Sequence, residues 1–154
     1  MITEISGGQR RRQGNACSAD IVIVGAGPTG LAASIALRQS GADVLIADAQ
    51  EPPIDKACGE GLLPDSLLEL SRLGIDLTGI AGKPFHGIRF ADKHSDVSAA
   101  FTNGEGLGVR RLALHRQLLD RAAAMGVRMR WKARVDLRPA RGLRSAAKHF
   151  ATAI

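Results

Sequence analysis

The stretch Gly25-Ala-Gly-Pro-Thr-Gly30 constrains this chain more than any other, because of what flanks it. Before it runs Ile21-Val-Ile-Val24, wholly apolar and β-branched, with the look of a parallel strand buried on both faces. After it, Pro28 to Ser40 reads as a helix. Pro28 suits a first turn, where its missing N–H costs nothing; Leu31, Ile35 and the alanines supply a buried side, and Gly41 ends the helix. Val44 to Asp48 is a second apolar strand. Two such strands joined by one helix make a βαβ unit, which closes right-handed onto a parallel sheet. The expected fold class is α/β.

Three glycines spaced GxGxxG occur often by chance. Here they sit where a mechanism needs them, directly after a strand and opening a helix. Gly25 permits the tight turn. Gly27, without a side chain, lets a pyrophosphate approach the backbone, and Gly30 lets helix and strand come close. The first-turn groups at Pro28 and Thr29 face the phosphates with the positive end of the helix dipole. Asp48 lies 18 residues beyond Gly30, at the tip of the second strand, where a carboxylate accepts hydrogen bonds from a ribose 2′-OH and disfavours a 2′-phosphate. The bland alternative is a glycine turn in a non-binding domain with Asp48 a mere strand end. Strand, loop, helix, strand and acid in register argue against it. The expectation is a Rossmann-like, FAD/NAD(P)-binding sheet with flanking helices. The fingerprint itself leaves NAD and FAD both open.

Further on, Gln50 to Leu63 reads as a loop rich in proline and glycine, and Pro64 to Leu73 as a short helix stopped by Gly74. His86–Ala91 and Val97–Phe101 are modest strand candidates. Arg111 to Met125 is a helix with Leu114, Leu118 and Ala122 on one stripe, followed by Val127–Trp131 as a third parallel strand. After Arg134 the pattern degrades, with a weak helical stretch at Ser145–Ile154. The expected organisation is a disordered basic extension over 1–18, a dinucleotide-binding domain over 19–134 that is incomplete at its C-terminus, and an irregular tail over 135–154 that reads as truncated or frame-shifted.

The net charge of +6 does not point to nucleic acid. From Gln13 to Val127 the chain has 10 basic and 13 acidic residues, so the excess sits in Arg10–Arg12 and in the stretch beyond Arg128. Cys17 and Cys58 form no CxxC and the four histidines are scattered singly, so no metal site is expected and each histidine reads as a surface or packing residue. No apolar run is long enough for a membrane helix or a signal-peptide core, and the expected location is cytoplasmic. No residue is nominated as a general acid, base or nucleophile.

Two later segments bring a family into view. Lys56-Ala-Cys-Gly-Glu-Gly-Leu-Leu-Pro64 and Val109-Arg-Arg-Leu-Ala-Leu-His-Arg-Gln-Leu118, together with Ile21–Asp48, resemble the FAD-dependent monooxygenases of the aromatic hydroxylase type and the related geranylgeranyl reductases and flavin-dependent halogenases. The resemblance spans about Ala19 to Ala133. It implies FAD as cofactor, with Lys56 and Gly59 along the flavin and Arg111 as the family's helix arginine, followed by Leu114 and Leu118. It also implies NAD(P)H as electron donor and a small organic substrate in intact relatives. Arg110 and Arg111 open their helix at its positive end, unfavourable for cations by about 0.3–1 kcal/mol each, which fits an anion nearby. The chain departs from the pattern at Ser34 (usually Gly or Ala), Asp48 (commonly Glu) and Ala49 (often Arg). The family's second FAD motif and substrate-binding sheet are missing. Without later strands, Ile21–Val24 would be an apolar edge prone to self-association. An NAD-dependent dehydrogenase module is the alternative, although a chain with no tyrosine cannot supply the Tyr-x-x-x-Lys pair of short-chain dehydrogenases. A non-catalytic dinucleotide-binding remnant is the third reading.

Overall fold

The computed structural model describes residues 5–6, 18–56 and 58–135. The expected extension and tail therefore lie largely outside the described residues. Within them, β1 (Ile5–Ser6) pairs antiparallel with the last strand, β10 (Arg134–Val135). The βαβ unit follows as β2 (Ile21–Val24), α1 (Pro28–Gln39) and β3 (Val44–Ala47). Next come β4 (Gly61–Leu62), α2 (Pro64–Arg72), β5 (Gly82–Phe85), β6 (Gly87–Ala91), β7 (Asp96–Ala100), β8 (Gly106–Val109), α3 (Arg111–Ala124) and β9 (Arg128–Arg130).

The parallel sheet has the order β2-β3-β9, with Ile21 opposite Val44 and Leu45 opposite Arg128. All four residues of β3 are buried, as a central apolar strand requires. β2 corrects the expectation of burial on both faces. Ile21 to Ile23 are only half-buried and Val24 is 59% exposed, and among the described residues the strand pairs only with β3. Leu31 and Ile35 of α1, Val44 and Ile46 of β3, and Leu114, Leu118 and Ala122 of α3 form the core. Ser34, buried in α1, satisfies its hydroxyl on the Leu31 carbonyl (2.7 Å), so the small polar departure carries no unpaired group.

Arginines stitch the helix ends together. Arg38 donates to the carbonyls of Met125 (3.0 Å) and Ala42 (2.9 Å), and Arg121 donates to that of Leu73 (2.9 Å). The Met125 and Leu73 carbonyls, at the C-caps of α3 and α2, are ones a helix end leaves open.

Beside this unit stands an antiparallel sheet, β4-β8-β5. Sequence patterning does not foresee it, since its strands hold Gly61, Gly82, Gly106, Gly108 and Pro84. The glycines are required by close approach: a Cβ on Gly106 would collide with the Phe85 ring, and one on Gly82 with the Leu107 side chain. The β6–β7 hairpin stands apart as a two-stranded sheet. No helix among the described residues is long and apolar enough to cross a membrane.

Candidate functional site

The glycine loop shows a separate physical demand at each glycine. Gly25 has φ +103°, a conformation other residues rarely adopt. Gly30 approaches the Gly25 carbonyl so closely that a Cβ would strike backbone. Gly27 is the opposite case: its φ of −70° suits any residue, and a Cβ there would meet no atom within 4 Å. Open space lies over Gly27, where a diphosphate would need it.

Gly27 is the N-cap of α1, with no side chain capping the helix and no acidic residue in the first turn. The N–H groups of Gly27, Thr29 and Gly30 donate no hydrogen bond to a described residue. Pro28, at the first position, has none to donate. An uncapped, positively polarised helix end facing open space is a receptor for an anion. These residues fit the diphosphate of a dinucleotide.

Asp48 reaches this loop directly. Its Oδ2 accepts the Ala26 N–H and its Oδ1 the Gln50 N–H, each at 2.8 Å. Carboxylate oxygens each accept more than one bond, so capacity remains for a ribose hydroxyl. The structure thus gathers Gly25, Gly27, Pro28, Thr29, Gly30 and Asp48 around the Ala26 peptide. The adjoining Ala26–Gly27 peptide has its own partner: Nε2–H of His115, from α3, donates to the Ala26 carbonyl at 2.7 Å.

The remaining expected residues are arranged differently. The Arg111 guanidinium donates to the Ile54 carbonyl at 2.7 Å, tying α3 to the segment after β3. Its backbone N–H donates to Glu60 Oε1 at 3.1 Å, so the anion at this helix end is supplied by the chain itself. Glu60 pays for that position with a left-handed backbone (φ 52°), held because its carbonyl also accepts the Val109 N–H at 2.8 Å. Lys56 is exposed and forms no hydrogen bond or ion pair with a described residue. Gly59 and Arg110 line an open, mainly apolar groove of about 850 Å³, with Leu63, Phe85 and Ile88 on its walls. Cys58 is a free, exposed thiol.

Sequence reasoning missed Glu60 and His115 as partners of the loop and helix ends. For His115 one signal existed: it sits on the buried stripe of α3 beside Leu114, where a polar group needs a partner.

Comparisons with known proteins bear on the family and the fold. The family described as FAD binding domain matches residues 18–147, running past Arg134. Menaquinone reductase of Mycolicibacterium smegmatis is 44% identical over 79 residues, which is 51% of this chain and 19% of that protein. Menaquinone reductase of Mycobacterium tuberculosis is 35% identical over 116 residues, 73% of this chain and 28% of that protein. A flavoprotein/dehydrogenase from Cytophaga hutchinsonii superposes with a TM-score of 0.60 at 27% identity, covering 74% of this chain and 30% of that one. The chain thus spans less than a third of each of these relatives.

Proposed function

Because the chain belongs to the FAD binding domain family, we propose that it is the FAD-holding portion of a flavin-dependent oxidoreductase, taking electrons from NAD(P)H and passing them to a small organic acceptor in its full-length form. Family membership selects FAD where the glycine loop alone leaves NAD open. Within this reading, Gly25, Gly27, Pro28, Thr29 and Gly30 receive the diphosphate and Asp48 the adenosine ribose. Lys56, Gly59 and Arg111 border the remainder of the cofactor. Bound FAD supplies the two-electron chemistry, and this chain's residues supply binding and orientation.

The observation carrying the proposal is the uncapped N-terminus of α1 under open space at Gly27, with the Asp48 carboxylate hydrogen-bonded to the same loop. The similarity to menaquinone reductases favours the reductase side over oxygen insertion, with an apolar quinone as the acceptor class. The mainly apolar groove beside Gly59 suits such a molecule. Residues 19–134 would form the binding unit, and a cytoplasmic location belongs to the same reading. Reconstituting the chain with FAD, desalting it and recording the visible spectrum tests the proposal. A retained flavin band is expected; a colourless protein that also fails to bind ADP by calorimetry would overturn it.

A further inference from the structure

We propose that His115 is a positioning residue for the dinucleotide loop, holding the Ala26–Gly27 peptide by its carbonyl while Asp48 holds the preceding Gly25–Ala26 peptide by its N–H, so that the neighbouring N–H groups face the diphosphate before it arrives. This rests on the FAD reading above.

Ala26 is fully buried, and both polar groups of its residue are engaged by distant parts of the chain. Its N–H goes to Asp48 across 22 positions and its carbonyl to His115 across 89. Because a carbonyl only accepts, Nε2 of His115 must carry the hydrogen. His115 itself is 2% exposed and lies on the core-facing side of α3, whose next turns bury Leu118 and Ala122 against the rest of the core. The ring is therefore fixed by packing as well as by its hydrogen bond.

The Ala26 carbonyl that His115 holds shares its peptide plane with the Gly27 N–H, the donor that opens the anion site, and the Asp48 bond fixes the plane before it. Ala26 follows Gly25 (φ 103°), and glycine, lacking a Cβ, populates several conformations at little cost. Hydrogen bonds to two consecutive peptides restrict that freedom. Order established before binding is not charged against affinity afterwards. Without the ring N–H, the buried Ala26 carbonyl loses its partner, and the cheapest repair is rotation of the peptide. That rotation turns the Gly27 N–H away from the phosphate.

The test uses the full chain with ADP as probe and two variants. H115F keeps the ring and removes the donor; H115Q returns an N–H donor at similar reach. H115F is expected to weaken ADP by about tenfold, as for one lost hydrogen bond, and H115Q to recover most of the loss. In the ligand-free wild type, nitrogen NMR of the ring is expected to show Nε2 protonated and hydrogen-bonded, a readout that stands even if H115F fails to fold. A bare Nε2, or equal ADP affinity for wild type and H115F, overturns the positioning role and leaves the FAD reading intact. Absence of any ADP binding by the wild type overturns both.

Discussion

Valine at Gly27 and alanine at Gly30 should damage the protein in opposite ways. At Gly27 the backbone (φ −70°, ψ 176°) is extended and acceptable to valine, and no atom lies within 4 Å of the new Cβ. Folding stability should therefore change by no more than about 0.5 kcal/mol. The valine methyls instead occupy the space over the first turn of α1. Displacing the diphosphate from two backbone donors forfeits about 1.5–3 kcal/mol each, so FAD affinity should fall at least about 100-fold. At Gly30 an alanine Cβ strikes the Gly25 carbonyl, with the Ile23 side chain 3.4 Å away, and the Gly25 backbone cannot yield cheaply. Overpacking of this kind costs about 1–3 kcal/mol, which lowers Tm by roughly 3–10 °C in a domain of this size. Thermal melts of the ligand-free variants, paired with calorimetric FAD titrations, separate the two effects. A Gly27→Val protein binding FAD within about threefold of wild type would refute the placement of the diphosphate. So would a Gly30→Ala protein with unchanged melting, for the close-approach argument.

Asp48→Asn keeps one acceptor for the Ala26 N–H but loses the charge and spare lone pairs for the ribose; about tenfold weaker FAD binding is expected by titration, and an unchanged Kd would contradict the role. Arg121→Ala removes the donor that answers the Leu73 carbonyl at the end of α2 and should cost about 1 kcal/mol, read as a drop of a few degrees in Tm. On the β6–β7 hairpin, the hydrogen bonds from Arg89 hold the Asp96 carboxyl below its ordinary value. A lowered carboxyl pKa means the interaction is present above the ordinary carboxylate range and lost as pH falls through the lowered value, so Arg89→Gln should move the Asp96 titration upward by NMR. Self-association is expected of the isolated chain: among the described residues β2 pairs on one side only, and Phe90 (72% exposed) and Val97 (64%) share one face of the hairpin; a monodisperse monomer in light scattering would refute this.

How much of this was legible in the sequence depends on how far apart the interacting residues lie. The βαβ unit was readable to within a residue at each boundary because its cues are local: apolar β-branched runs, a proline in the first helical turn and a glycine at the end of α1. The strands β5 and β8 were not. Their glycines have low strand propensity and are tolerated only because Phe85 and Leu107 fill the space from across the sheet. The same division runs through the candidate site. Glycine spacing and Asp48 follow from the geometry of one unit. Glu60 and His115 find their partners 51 and 89 positions away, and no local pattern announces such pairings.

The arginine pair at the start of α3 shows where a sound physical premise needed the fold to complete it. Cations at a positive helix end do call for a nearby anion, and the structure provides one in Glu60, delivered by a loop that bends through a left-handed residue. The pair therefore does not by itself require a bound ligand. The three helix starts differ in this respect. α2 carries Asp65 in its first turn and α3 receives the Glu60 carboxylate, while α1 has neither a capping side chain nor an acid. A helix N-terminus behaves as roughly half a positive charge with unfilled N–H donors, and natural sequences usually answer it with a carboxylate or hydroxyl. At α1 the sequence instead places glycine and proline, residues that can answer nothing and that keep the approach clear. Among the described residues, α1 is the one of these three helix starts that no side chain answers, and it is also the one whose loop Asp48 and His115 hold.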